Sequence, residues 1–158
     1  MLKKPSYTLS EATKKLEYFC AYQDRCHQEV LLKLRQMQMI PEAIDQIMGH
    51  LIQRDYLNEE RFARNYARGK FNHKHWGRIR ITQELKKRNI SPINIKIALK
   101  ELDDSTYLSS LETLAKKKLD QLKGKEKEVQ KKKLADYLLY RGWESSLVYE
   151  QVFTLIPN

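Results

Sequence analysis

One apolar pattern occurs three times along this chain, and that repetition limits what it can fold into. A shift of 51 residues pairs Val30 with Ile81, Leu34 with Leu85, Met39 with Ile90 and Pro41 with Pro92. The same shift pairs Ile44 with Ile95, Met48 with Leu99 and Leu51 with Leu102. A further shift of 53 carries these columns to Leu134, Leu138, Trp143, Ser145, Val148, Val152 and Leu155. Amphipathic helices align with each other easily, so apolar columns alone prove little. The proline shared by two copies, and the apolar residue two positions before it, carry more weight. A chain that repeats one short unit builds a row of modules, each with a small core.

The unit is helical. Ala12, Leu16, Phe19 and Cys20 form one stripe, and Ile44, Ile47, Met48 and Leu51 another. Leu108, Leu111, Ala115 and Leu122 continue the pattern in the last third, and strict alternation is almost absent. Thr8 and Glu11 have the spacing of a capping box, which predicts a helix start near residue 9. Pro41 and Pro92 suit a first helical turn, where a missing N–H costs nothing. Asn58 ahead of Glu59 and Glu60 is a further N-cap. The expectation is an all-α protein: three tandem three-helix repeats in an elongated, curved arrangement. The modules fall at 9–53, 57–102 and 104–156, after an N-terminal tail over 1–8. Each helix is short enough to need packing for its stability.

Charge sets the middle module apart. The net charge is +10, yet residues 58–100 hold 12 basic and 3 acidic side chains. The other two thirds are close to balanced. A concentrated positive segment attracts polyanions or an acidic protein face. No apolar run reaches the length of a membrane span, and Met1 to Ser10 has no apolar signal-peptide core. Two Cys and four His without ligand spacing suggest neither a disulfide scaffold nor a zinc site. A cytoplasmic protein is expected. There is no Gly-rich phosphate loop, nucleophile elbow or paired-carboxylate arrangement, so no enzyme, metal or cofactor is expected.

The most specific stretch is Arg54-Asp55-Tyr56-Leu57-Asn58-Glu59-Glu60-Arg61-Phe62-Ala63, followed by Trp76-Gly77-Arg78-Ile79-Arg80-Ile81-Thr82-Gln83-Glu84-Leu85 and Asn89-Ile90-Ser91-Pro92. It resembles the RecX family of regulatory proteins, modulators of the RecA recombinase, and the likeness runs from about residue 9 to 156. It implies three-helix repeats, binding to the RecA–DNA filament, and modulation, most simply inhibition, of recombinase and coprotease activity in repair and the SOS response. This chain departs from the family pattern in four places. Asp55 replaces a small residue, Asn58 replaces Asp, Asn89 replaces Gly, and Cys26 replaces Ser. The first three suit caps or turns. Cys is a poor cap, which points to Asp24 and an earlier helix start. None of the four is expected to touch the basic residues.

On a helix over 58–70, Arg61, Arg64 and Arg68 share a face away from Phe62 and Tyr66. On a helix over 77–89, Arg78 with Lys86 and Arg80 with Lys87 form two rows beside the Ile81–Leu85 stripe. Lys70 and Lys74 fall in the intervening loop. With Trp76, these ten residues are the candidate contacts for the filament and for weak, salt-sensitive binding of single- and double-stranded DNA. The plain alternative is a solvated face with local pairs such as Arg80–Glu84. Tyr66 and Trp143 read as core, and Trp76 as either core or contact. Cys26 reads as the more accessible thiol, and the lysine-rich run 123–133 as a charged turn and helix start. Two further functions stay open. One is a stand-alone helix-turn-helix-like DNA-binding protein reading bases with Arg80 and Gln83, the other a helical scaffold with no nucleic-acid role.

Overall fold

A computed structural model describes residues 6–158; residues 1–5, the larger part of the expected tail, lie outside the described residues. The described residues form nine α-helices and one π-helical turn, with no strand among them. Helices α1 (Leu9–Tyr22), α2 (His27–Gln36) and α3 (Pro41–Gln53) come first. Then follow α4 (Glu59–Gly69), the π-turn Lys70–Lys74, α5 (Arg78–Lys87) and α6 (Pro92–Leu99). The last three are α7 (Asp104–Gln121), α8 (Lys127–Tyr140) and α9 (Ser145–Leu155).

Local chemistry sets most starts. Thr8 and Glu11 bond reciprocally in a capping box, each at 3.1 Å. The Asn58 side chain accepts from the Arg61 N–H at 2.9 Å, and Pro41 and Pro92 sit at the heads of α3 and α6. The start of α2 differs from expectation. Cys26, not Asp24, occupies the cap position, without a side-chain bond to the helix backbone. The exposed donor is met from the second triad instead, where Glu59 accepts from the His27 N–H at 3.0 Å.

The repeat extends to individual hydrogen bonds. Each triad's second helix closes on a left-handed residue: Gln38 (φ 60), Asn89 (φ 58) and Gly142 (φ 89). These occupy one repeat column. After each, an apolar residue folds back, so that the N–H of Met39, Ile90 and Trp143 donates to the carbonyl of Leu34, Leu85 and Leu138. The tighter bonds Gln38–Arg35, Asn89–Lys86 and Gly142–Leu139 accompany them. This double closure satisfies otherwise orphaned carbonyls and buries the residue that follows. It turns the chain into the third helix, which starts two residues later.

Within each triad the third helix packs on the first and second. The apolar interior divides in two, however, where the sequence suggested one small core per module. Ala12, Leu16, Val30, Leu34, Ile47 and Leu51 belong to a core of the first triad that Leu57, at the start of the second, closes. The second and third triads share one continuous core, from Phe62 through Ile81, Leu85 and Tyr107 to Trp143 and Val152. Tyr107 is fully buried, whereas Leu108, placed on the inward stripe by its spacing, faces solvent. The accessible surface is 10358 Å². That exceeds the about 8300 Å² of a compact monomer of 18.9 kDa, as an extended row of triads requires.

The shared core depends on two glycines. A Cβ on Gly77 would lie 2.4 Å from the Gly142 carbonyl oxygen, and one on Gly142 would lie 2.2 Å from the Arg80 Cβ. The backbones touch because the head of α5 docks on the turn after α8. The Gly77 N–H donates to the Arg141 carbonyl at 2.8 Å, and the Ile79 N–H to the Gly142 carbonyl at 3.0 Å. Open donors of one helix thus meet open acceptors of another.

Gly142→Ala combines a left-handed non-glycine residue with overpacking, and should lower unfolding stability by about 2–4 kcal/mol in urea denaturation. Gly49→Ala, inside α3 with open space around it, should raise stability by about 0.5–1 kcal/mol. Both cysteines are buried, Cys26 at 0% exposure, which corrects its expected accessibility. Burial pushes both thiols up to about 11. Neither should react with a thiol reagent at pH 8 until the chain unfolds. Since the folded state favours the protonated thiol, this contribution to stability is complete below about pH 8.5, the ordinary thiol value, and is lost as pH rises toward 11.

Candidate partner-binding surface

The ten candidate residues separate by what their charges meet. Arg61 is held from both sides of the first junction: its Nε donates to Asp24 at 2.9 Å and its Nη1 to Asp55 at 3.0 Å. Its second nitrogen reaches the carbonyls of Asp55 and Tyr56. Asp55, a departure from the family pattern, therefore does engage a basic residue. Arg64 pairs with Glu101 and more loosely with Glu60, and Arg68 leans on Asn65 and on Glu101 at 3.8 Å. Arg78 is enclosed by Asp104 at 2.7 Å and Glu144 at 3.0 Å, with its guanidinium 3.7 Å above the Tyr107 ring. The Tyr107 hydroxyl donates to Glu144 and accepts from the Arg78 N–H. Burial holds its phenol above the usual range, so it remains a donor.

The remaining members lie otherwise. Lys70 and Lys74 stand at the two ends of the π-turn rather than in an open loop, with Phe71 buried between them. Lys70 and Arg80 form no ion pair among the described residues; their charges rest on aromatic faces. The Lys70 ammonium is 5.4 Å from the Tyr66 ring centre and 5.1 Å from that of Trp76. The Arg80 guanidinium lies 4.3 Å from Trp76 and 4.9 Å from Tyr140. Tyr66 and Trp76 are tilted neighbours, 6.4 Å apart, and both are half-buried against the shared core. Lys86 is exposed and unpaired among the described residues, and Lys87 touches Glu84 at 3.3 Å while staying largely in solvent. The Arg80–Glu84 pair of the alternative reading does not form, because Glu84 is taken by Lys87 and by Arg88 at 3.1 Å.

Two residues join the patch that the sequence reading omitted. Arg88 lies 4.9 Å from the Tyr66 ring, and Tyr140, 76% exposed, comes from the third triad. Arg88 belonged to the same basic run and was within reach of sequence reasoning. Nothing local links Tyr140 to Arg80; only the docking of α5 on α8 does. The result is a ladder of Tyr66, Trp76 and Tyr140 interleaved with Arg88, Lys70 and Arg80. Cations on aromatic faces keep their charge available while their stems stay ordered, each contact contributing about 0.5–2 kcal/mol. A planar base, a phosphate or a carboxylate can each be recognised by such a surface.

The two kinds of cation should differ in stability measurements. Arg78→Gln removes the ion pairs to Asp104 and Glu144 and the cation above the Tyr107 ring, and should cost about 1–3 kcal/mol in urea denaturation. Lys86→Gln should stay within about 0.5 kcal/mol of the parent.

Comparison with known proteins bears on what this surface serves. The family model for the second three-helix domain of RecX matches residues 58–99, and that for its third three-helix domain matches residues 105–152. The regulatory protein RecX of Prosthecochloris aestuarii is 27% identical over 140 residues, covering 89% of this chain and 90% of its own. That of Serratia proteamaculans is 32% identical over 103 residues, 65% of this chain and 60% of its own. That of Clostridium acetobutylicum is 26% identical over 130 residues, 80% of this chain and again 60% of its own. The crystal structure of RecX from Lactobacillus salivarius superposes with a TM-score of 0.82 at 24% identity, over 93% of this chain and 96% of that one. Two domain models that together span more than half of the residues, joined by these relatives, make this chain a member of the RecX family of regulatory proteins.

Proposed function

We propose that this chain regulates by docking along a RecA–DNA filament and restraining the recombinase and coprotease activities of that filament, in the cytoplasm and without catalysis of its own. Family membership gives the reading its class. The observation that carries it to residues is the ladder around Trp76, where Lys70 and Arg80 are ordered but unneutralised. A filament of protein on DNA offers carboxylates and phosphates in alternation, and a mixed Arg and Lys surface suits both.

Within this reading the ten candidates divide their labour. Lys70, Lys74, Trp76, Arg80, Lys86 and Lys87 form the contact surface. Arg61 and Arg78 tie the middle triad to its two neighbours through Asp24, Asp104 and Glu144, and Arg64 and Arg68 brace the middle triad itself through Glu101. The units 9–53, 57–102 and 104–156 act as successive footholds on a partner that is itself periodic. DNA alone, single- or double-stranded, binds weakly and with strong salt dependence, because phosphate neutralisation releases counterions.

The stand-alone helix-turn-helix reading is less well supported. Such proteins read bases with the N-terminal residues of a recognition helix. Here the head of α5 is closed by the carbonyls of Arg141 and Gly142, and Arg80 is folded between Trp76 and Tyr140.

Titrating the protein into RecA strand exchange and single-stranded-DNA-dependent ATP hydrolysis tests the proposal. The parent should inhibit both. Lys70→Glu with Arg80→Glu should raise the half-inhibitory concentration about tenfold or more, with the helical circular dichroism retained. A folded double variant that inhibits like the parent would reject this surface. A parent that leaves both reactions unchanged, or binds naked duplex as tightly as the coated strand at physiological salt, would reject the filament reading itself.

A further inference from the structure

On the third triad, α7 and α8 line a groove of about 480 Å³, with His75 of the middle triad at its edge. From α7 it is lined by Ser110, Thr113, Lys117 and Gln121. Their three- and four-residue spacing makes them one row on one helix face. Lys118 adds to that wall, and Tyr137 and Arg141 form the other. The Lys118 ammonium and the Arg141 guanidinium lie 4.8 and 4.6 Å from the Tyr137 ring centre.

The lining of this groove differs from that of the other cavities bordering the middle triad. Each of those includes a carboxylate: Asp24 and Glu29 in one, Asp55 and Glu60 in another, Glu59 in a third. No carboxylate lines the α7–α8 groove. Lys117, Lys118 and Arg141 form no ion pair among the described residues, although Lys116 beside them takes Glu112 at 2.7 Å. Arg141 is also incompletely satisfied. Its Nη1 donates to the Lys74 carbonyl at 2.8 Å, which fixes the guanidinium, while its Nε is buried without an acceptor. The Nη2 of the same guanidinium makes no hydrogen bond among the described residues and is not buried, so it is the donor that an anionic oxygen can reach. The Thr113 hydroxyl is already used, donating to the Ser109 carbonyl at 3.0 Å. Ser110, Gln121 and the two lysines keep their donors.

Two ammonium groups, a hydroxyl and a fixed guanidinium, with no competing acid, suit a tetrahedral oxyanion carrying more than one negative charge. The volume is too large for a lone phosphate and fits one carried on a sugar. We infer that the α7–α8 groove is a phosphate-binding site, which takes the phosphate of a free nucleotide or of a nucleic-acid backbone. This site stands apart from the Trp76 ladder and does not depend on the filament reading.

Amide chemical shifts of the full chain, followed by two-dimensional NMR, test it with three probes: sodium pyrophosphate, ADP and a twelve-residue oligothymidylate. Pyrophosphate should move the amides of Ser110, Lys117 and Arg141. Lys117→Gln with Lys118→Gln should weaken binding about tenfold. Lys123→Gln with Lys125→Gln removes equal charge outside the groove and should change binding less than about twofold. ADP binding as tightly as the oligonucleotide identifies the free-nucleotide source, and a much tighter oligonucleotide identifies the backbone source; either supports the site. No shift with any probe, shifts centred elsewhere, or equal weakening by both variant pairs would overturn it.

Discussion

The seating of the α5 head on the turn after α8 is the contact on which the rest of the structure depends. It merges two triads into one interior, since Phe71, Tyr107 and Trp143 pack together only if that turn lies under the π-turn. The Trp143 indole N–H donates to the His75 carbonyl at 3.1 Å and closes the contact from below. His75 itself is left-handed, at φ 57, so the backbone is bent sharply to bring Gly77 into place. The same contact delivers Tyr140 to Arg80 and Glu144 to Arg78. The end of the candidate surface at Tyr140 is therefore a by-product of how two triads join, while the rest of the ladder lies on the middle triad.

The other junction is built on different physics. Between the first and second triads, Asp24 receives both Arg61 and Asn65, and Glu59 receives the backbone of α2. Cys26 alone of the first triad's buried residues belongs to the shared core. Partly exposed ion pairs are screened by salt and contribute little each. An apolar junction with interlocking backbones is insensitive to salt and cooperative. The row of triads thus has one junction that is mainly polar and one that is mainly apolar.

Much of this fold was legible in the sequence because its determinants are local. The capping box at Thr8, the prolines at 41 and 92 and the left-handed cap at Asn89 are read from neighbours in the chain. Their placement survived because helix ends must satisfy their own backbone groups. What escaped was non-local. That Glu59 caps α2, or that Glu144 takes Arg78, follows from which triads abut, and charge counting cannot say which acid will answer which base. Counting placed an excess of cations in the middle segment, and the structure draws carboxylates from Asp24, Asp55, Glu101, Asp104 and Glu144 to meet part of it. The exposure of Leu108 has a similar origin. Either Tyr107 or Leu108 satisfies the period, and the choice is made by Arg78 and Glu144, which need a hydroxyl between them.

The repeat column Gln38, Asn89, Gly142 shows how copies of one unit diverge without losing it. All three residues adopt the same left-handed turn, and all three turns make the same pair of hydrogen bonds. Glycine is the least strained residue there, by about 1 kcal/mol or more, yet only the third copy uses it. Gln38 and Asn89 are exposed, so their side chains have room and the strain is tolerated. At Gly142 a neighbouring backbone arrives within a distance no Cβ could occupy. Strain alone did not select glycine in this column; contact with another triad did. The position where a repeat abandons its tolerant residue for the smallest one therefore marks where that repeat meets its neighbour, and this is a signal that aligned copies of a single chain already contain.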